Sequence, residues 1–485
     1  MVPPQTCLAA HRYLMSKGAE NVASRNVRKG AAGTVEKRRV PVLDGLRGLC
    51  AVAVLVYHVA YTAGVSNHYA DPRDNLWGYL TEGMGVFLPP FFVLSGMMLY
   101  RPYARRTVTG AGARPRVASF FWRRFVRIVP AFWLLVIASI LLLDYDKIDG
   151  VWFFLLPLLM LHFFVRTEWI TGLDPTWTVP TEMLFYLALP AIAWAIHKVA
   201  RRGTTPAQRA RRTIVPLAVL VLTGIAWTAY CFLPSMSADV WYLSFWPFGY
   251  VGYFAGGMAL AVLLAYAEVA PRRPALFRWA AKWPMGFWLV ALLAYLANVP
   301  HPFGEPGMGD WGALVQQLVL HVLFFVFSLC VVIPLVAPGA KSKTMHLLLA
   351  NRPMAFLGRI SYGIYLWHVF FIHVVLHNGS MFGKPAVNSG MLRGTVGFAE
   401  MVCLVLLGTL ITALASHYVV EEPLNQKLRG LFDRGSRDED RDRDRDKDKD
   451  QDQEKAEDKD DAAGKPPATD DAGRPAAGQG VLTSL

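Results

Sequence analysis

The chain has 485 residues, of which 54% are hydrophobic and 18% charged, with a mean hydropathy of +0.31. A water-soluble protein of this length carries more charge and a less continuous apolar pattern. The formal net charge of +13 hides an asymmetry: residues 437–461 hold 14 acidic and 8 basic residues, net −6, leaving +19 on the rest. That excess falls between apolar runs, where positive-inside orientation accounts for it without a nucleic-acid partner.

The first forty residues are polar and basic, a longer prelude than a signal peptide has before its apolar core. Eleven apolar runs follow, at about 46–64, 80–100, 128–145, 151–166, 178–198, 213–233, 243–266, 285–299, 313–337, 361–377 and 395–420. Most are long enough to cross ~30 Å of hydrocarbon. The fold class expected is therefore all-α, a polytopic bundle of membrane helices. The basic segments 101–127, 197–212, 271–282 and 341–359 belong on the cytoplasmic side, whereas 300–312 is poor in Lys and Arg and belongs outside. Both ends of 127–197 then face the cytoplasm, so its three apolar runs cannot all cross. The shortest, 151–166, is read as re-entrant or interfacial. Ten crossings remain, with both termini cytoplasmic in the plasma membrane; the alternative is that one basic loop breaks the rule.

Within the first span, "LDGLRGLCAVAVLVYH" (43–58) sets Arg47 at the mouth and His58 eleven residues inside. At 1.5 Å and 100° per residue, the two lie ~16 Å apart on nearly one helical face. Ionisable groups facing lipid are costly, so that face is expected to line a cavity. Asp44, three residues before Arg47, is placed to pair with it. In the second span, Ser95 of "VLSG" is a possible nucleophile, but close helix packing is the simpler reason for Ser-Gly there.

The third span opens with "FFWRRFVRIVP" (120–130). Arg124 and Arg127 share a face, and Pro130 is expected in the first helical turn. These arginines either anchor the helix by snorkelling or clamp phosphate at the cytoplasmic side. In "GLDPTWTVPTEMLFYLALP" (172–190), Thr178, Glu182 and Tyr186 form an i, i+4, i+8 stripe around an intramembrane carboxylate. In "GRISYGIYLWHVFFIH" (358–373), Ser361, Tyr365 and His368 form another. His162, His321 and His373 lack such company and read as structural. The five cysteines make no CxxC pair and no zinc pattern, so no disulfide and no metal site is expected. Residues 1–40 are expected to be a basic cytoplasmic segment, 41–425 the membrane domain, and 426–485 a disordered cytoplasmic tail with too little apolar surface to offset its ordering.

These motifs, in this order, resemble the integral-membrane acyltransferase 3 family, over about residues 40–425. The matching stretches are the Arg-x10-His segment, "FFVLSGMMLYRP", "RRFVRIVPAFW", "PTWTVPTEMLFYLALP" and "SYGIYLWH"; the Ala/Arg-rich composition resembles actinobacterial members. The resemblance implies transfer of an acyl group, acetyl as the simplest, from acyl-CoA as co-substrate to a hydroxyl of a carbohydrate, glycolipid or secondary metabolite. No tightly bound cofactor is implied. By resemblance His58 and Glu182 are the catalytic candidates, and Arg47, Arg124 and Arg127 bind the donor. Ser361, Tyr365 and His368 are grouped with them as substrate-binding candidates from their stripe. The chain departs from the family at Pro89, where many members carry an Asp that orients the histidine. Glu82, seven residues earlier, is the nearest substitute. A transporter of an anionic or lipid-linked substrate is the alternative, although no inverted repeat or paired broken helices are visible in the sequence.

Overall fold

The computed structural model describes residues 41–63, 65–66, 76–112, 115–165, 170–236, 238–303, 309–375, 398–424 and 426–427. The chain divides into two compact units after Pro423, and the architecture below belongs to the first. The expectations for the basic N-terminal segment and for nearly all of the acidic tail lie outside the described residues.

Every regular element among the described residues is helical. Helix α1 covers Pro41–Thr62. A short α2, Leu76–Glu82, leads through a 3-10 turn into α3, Pro89–Thr109, and α4 follows at Val117–Leu143. The eight-residue α5, Val151–Leu158, is ~12 Å long, too short to span, and the chain turns after it with Met160 at φ 62°. This agrees with the reading of 151–166 as a segment that does not cross. Next come α6 (Thr178–Ala200), α7 (Pro206–Cys231), α8 (Pro247–Ala267), α9 (Ala275–Lys282) and α10 (Pro284–Ala297). They are followed by α11 (Trp311–Val336), α12 (Lys343–Leu349), α13 (Arg352–Arg359), α14 (Ser361–Val375) and α15 (Phe398–Ala415).

Eight of the helical stretches among the described residues are long and apolar enough to cross a bilayer, and ten if each of two bent pairs is one crossing. The bends are 93° between α9 and α10 and 71° between α13 and α14; α10 and α14 are the apolar runs read at 285–299 and 361–377, and the shorter helix before each lies in a basic segment read as a loop. Each bend has a local cause. Pro284 starts α10 where no backbone donor is needed. Asn351 caps α13 by accepting from the Met354 amide at 2.9 Å, and α13 ends before Ser361, whose hydroxyl donates to the Gly358 carbonyl at 3.0 Å. Large apolar side chains such as Val215, Val219 and Leu222 on α7, and Leu289 and Leu293 on α10, are exposed. The chain is a multi-pass membrane protein, and these faces meet lipid.

Two sequence-based boundaries shift. Helix α4 begins eleven residues before the apolar run, and α3 continues through Arg101, Arg105 and Arg106. Apolar runs mark only the part of a helix inside hydrocarbon, while Ala and Arg continue it into the polar zone. Pro130 therefore lies mid-helix, not in a first turn, and Arg124 and Arg127 stand about two and three turns inside α4. A transmembrane helix tolerates such a proline when neighbouring groups supply hydrogen bonds. The carbonyl that Pro130 leaves without its helical donor is that of Val126, four residues earlier; two residues further on, Tyr362 donates to the Ile128 carbonyl at 2.9 Å.

The register of α13 on α1 is set by backbone approach. A Cβ at Gly45 would overlap the Leu349 carbonyl, and one at Gly358 would overlap the Asp44 carbonyl. The "DGLRG" and "LGRIS" segments thus meet without side chains between them. Gly358→Val is expected to destabilise the bundle by about 1–3 kcal/mol or prevent assembly. Gly286→Ala, where the nearest added contact is 3.5 Å away at Trp283, is expected to be silent. Thermal unfolding in detergent, read by size-exclusion recovery, checks both.

Candidate functional site

Two polar centres occupy this unit, and α1, α6 and α14 each contribute to both. The first is a pocket with about 500 Å³ of empty space, part of it open to solvent, walled by α1, α3, α4, α6 and α14. Arg47 reaches it from α1, Arg124 and Arg127 from α4, and Glu182 from α6. Three guanidinium groups against one carboxylate leave a formal charge of +2. Glu182 is held on both oxygens: Tyr186 donates to Oε2 at 2.9 Å and Ser95 to Oε1 at 3.3 Å. Arg124 lies over the Tyr186 ring at 5.8 Å. The Nε atoms of Arg47 and Arg124 are buried without a hydrogen-bond partner. A buried guanidinium donor left in this state is costly, and an acceptor oxygen entering the pocket would relieve that cost. Asp44 acts on Arg47 through its field, behind Arg127 and Glu182.

The second centre joins α1 to α14. His58 Nδ1 lies 2.9 Å from the Val54 carbonyl and 3.1 Å from Nε2 of His368, with the ring centroids 5.0 Å apart. His368 is fully buried, and its Nδ1 lies 2.7 Å from the Tyr365 carbonyl. The Tyr365 hydroxyl accepts from Thr178 at 2.7 Å and donates to the Pro175 carbonyl, tying α14 to the start of α6. Beyond it, His373 Nε2 stands 3.5 Å from Asp174 Oδ2, and the Asp174 carboxylate acts electrostatically on His58. The centres are separated along α1 by the eleven-residue step from Arg47 to His58, ~16 Å.

The structure therefore gathers Arg47, Arg124, Arg127 and Glu182 in one pocket and sets His58 beside His368. Ser361, Tyr365 and His368 are not in the arginine pocket's wall. Their neighbour Tyr362 is, and their own bonds go to Gly358, Pro175 and His58. The Thr178–Glu182–Tyr186 stripe is divided, Thr178 serving the histidine end and the other two the arginine end. Ser95 donates to Glu182, a role that neither reading of its segment named, while Gly96 beside it lets α3 touch the Phe254 carbonyl of α8, as the packing reading expects. Glu82 lies within electrostatic reach of Tyr57, the neighbour of His58.

Sequence reasoning missed Tyr362, Asp174 and His373. Asp174 precedes its helix, so no i, i+4 stripe flags it, and the partner that gives His373 company is distant in sequence. Tyr362 is one position out of phase with the stripe that drew attention. His321, read as structural, receives or donates a bond with Thr228 at 3.1 Å.

The pocket predicts anion binding. Inorganic pyrophosphate should raise the thermal midpoint of the purified protein. Replacing any one arginine by Gln should weaken that binding roughly 10- to 100-fold, as loss of a charge-assisted hydrogen bond does.

Comparison with known proteins identifies the family. Residues 40–417 match the family model described as acyltransferase domain. A protein provisionally named peptidoglycan O-acetyltransferase, from Bacillus subtilis (strain 168), is 23% identical over 360 residues, covering 69% of this chain and 49% of that protein. The acyltransferase MdmB of Streptomyces mycarofaciens is 28% identical over 173 residues, covering 34% of this chain and 42% of its own length. The chain thus spans about half or less of the curated relatives it matches. No solved structure matches it significantly. The family match covers the helices that build both centres, and the chain belongs to the integral-membrane acyltransferase 3 family.

Proposed function

We propose that this protein transfers an acyl group, acetyl as the simplest, from acyl-CoA to a hydroxyl of a carbohydrate, glycolipid or glycosylated metabolite. The observation that carries this reading is the pocket of charge +2 with unpartnered arginine donors, set about half the length of α1, ~16 Å, from a histidine pair. The family and the names of both relatives support acyl transfer, and one relative's name specifies an O-acetyl group.

In this reading the donor's phosphates sit on Arg47, Arg124 and Arg127, whose planar guanidinium groups suit phosphate oxygens. The ~16 Å along α1 resembles the reach of an extended pantetheine arm. Glu182, clamped by Tyr186 and Ser95, holds the guanidinium groups apart and in position. At the other end His58 Nε2 takes the proton of the acceptor hydroxyl. The hydroxyl oxygen attacks the thioester carbonyl, so the C–O bond forms as the C–S bond breaks. The proton on His58 then passes to the departing thiolate, giving free CoA and the ester. The basic loops support cytoplasmic termini in the plasma membrane, with donor access from that side. Metal ions have no part in this scheme.

The transporter alternative gains from the two bent spans, since broken helices mark many transporter sites. However, the α9–α10 bend contributes no residue to the arginine pocket or to the histidine pair.

His58→Ala should lower the transfer rate roughly 10²- to 10⁴-fold, the usual worth of a general base, without abolishing anion binding in the pocket. The test compares glycolipids, polysaccharide and small metabolites by mass spectrometry from strains with the wild-type and H58A genes. Loss of an acyl increment from one hydroxyl compound is the expected result. An unchanged acylation pattern, with a compound redistributed between cell and medium, would favour the transporter.

A further inference from the structure

The departure at Pro89 raises a question the histidine pair answers. Pro89 is the first residue of α3 and carries no group able to orient an imidazole. A neutral histidine serves as a base only if its proton sits on the nitrogen facing away from substrate, and a second group normally fixes that choice. The geometry points to His368 as the side chain that, together with the Val54 carbonyl, fixes the tautomer and ring orientation of His58.

The assignment follows from donors and acceptors alone. The Tyr365 carbonyl can only accept, so His368 Nδ1, 2.7 Å away, carries a proton. In neutral His368, Nε2 is then a lone-pair acceptor. It lies 3.1 Å from His58 Nδ1, which also faces the Val54 carbonyl at 2.9 Å. Both neighbours of His58 Nδ1 accept, so that nitrogen holds the proton and shares it between them. His58 Nε2 is left with the lone pair. The chain of roles runs Tyr365 carbonyl, His368, His58, acceptor hydroxyl.

Burial makes the arrangement rigid. His368 is 0% exposed, and its ring is tilted against both His58 and Tyr365, at centroid distances of 5.0 and 5.8 Å. Thr178 and the Pro175 carbonyl fix the Tyr365 side chain. His368 is thus a positioning residue. It acts through His58 and not on substrate, and its role rests on the reading of His58 as the base.

The test pairs two substitutions with one spectroscopic measurement on the full-length protein. In His368→Gln the side-chain amide oxygen can occupy the Nε2 position and accept from His58 Nδ1. In His368→Phe the ring volume is kept and the acceptor is lost. We expect H368Q to retain most of the transfer rate. H368F should lose roughly 10- to 100-fold in kcat, the usual cost of removing an orienting partner, with KM for the donor unchanged. Nitrogen-15 NMR of histidine-labelled protein should show His58 protonated on Nδ1 in the wild type and in H368Q, and a larger Nε2-protonated fraction in H368F, where the Val54 carbonyl still accepts from Nδ1 but the His368 acceptor is gone. The inference is overturned if wild-type His58 carries its proton on Nε2, if H368F keeps the wild-type kcat, or if H368Q and H368F lose activity equally. A fully active H58A would instead remove the base itself, and the NMR result would still decide the tautomer.

Discussion

Three arginines and a carboxylate inside an apolar bundle are the constraint on which the rest of this structure depends. Charged groups that face hydrocarbon are expensive, and they persist where they line a polar cavity or meet one another. Here both conditions hold. Glu182 faces Arg47, Arg124 and Arg127 across one pocket, and its own oxygens are occupied by Tyr186 and Ser95. Helices α1, α4 and α6 must therefore converge at these residues, and their packing follows from that. Glycines at 45, 96 and 358 remove the side chains that would keep neighbouring backbones apart.

The same helices carry the second centre. α1 bears Arg47 and His58, α6 bears Glu182 and Thr178, and α14 bears Tyr362 and His368. A displacement of any one of them disturbs both centres together. This arrangement suits a donor with a charged end and a reactive end, since distance along one helix is better defined than distance across a loop. The bend between α13 and α14 serves both ends. It lays α13 against the mouth of α1 and directs α14 into the core, where His368 meets His58.

Much of this was legible in the sequence. The Arg-x10-His spacing placed Arg47 and His58 on one helix, the parity of basic loops singled out 151–166 as a segment that does not cross, and the two polar stripes marked α6 and α14. What hydropathy and periodicity could not show has a physical reason in each case. Apolar runs end where hydrocarbon ends, so the polar extensions of α3 and α4, and with them the mid-helix position of Pro130, were invisible. Periodicity sees neighbours on one helix and not partners on different ones, so the pairing of His58 with His368 and of Asp174 with His373 went unread. Ser95 looked like a packing residue because its hydrogen-bond partner is 87 residues away. Pro89 was legible as a loss; its counterpart was not, because it comes from a helix 310 residues after His58.

The central claim is that one donor molecule spans both centres. It is tested most directly by a cryo-electron microscopy structure of the protein with a non-cleavable thioether analogue of acyl-CoA. The account predicts phosphates on Arg47, Arg124 and Arg127, the pantetheine arm running along α1, and the acyl carbon at the His58 end. Phosphates bound outside the arginine pocket, or an acyl carbon lying away from His58, would contradict it.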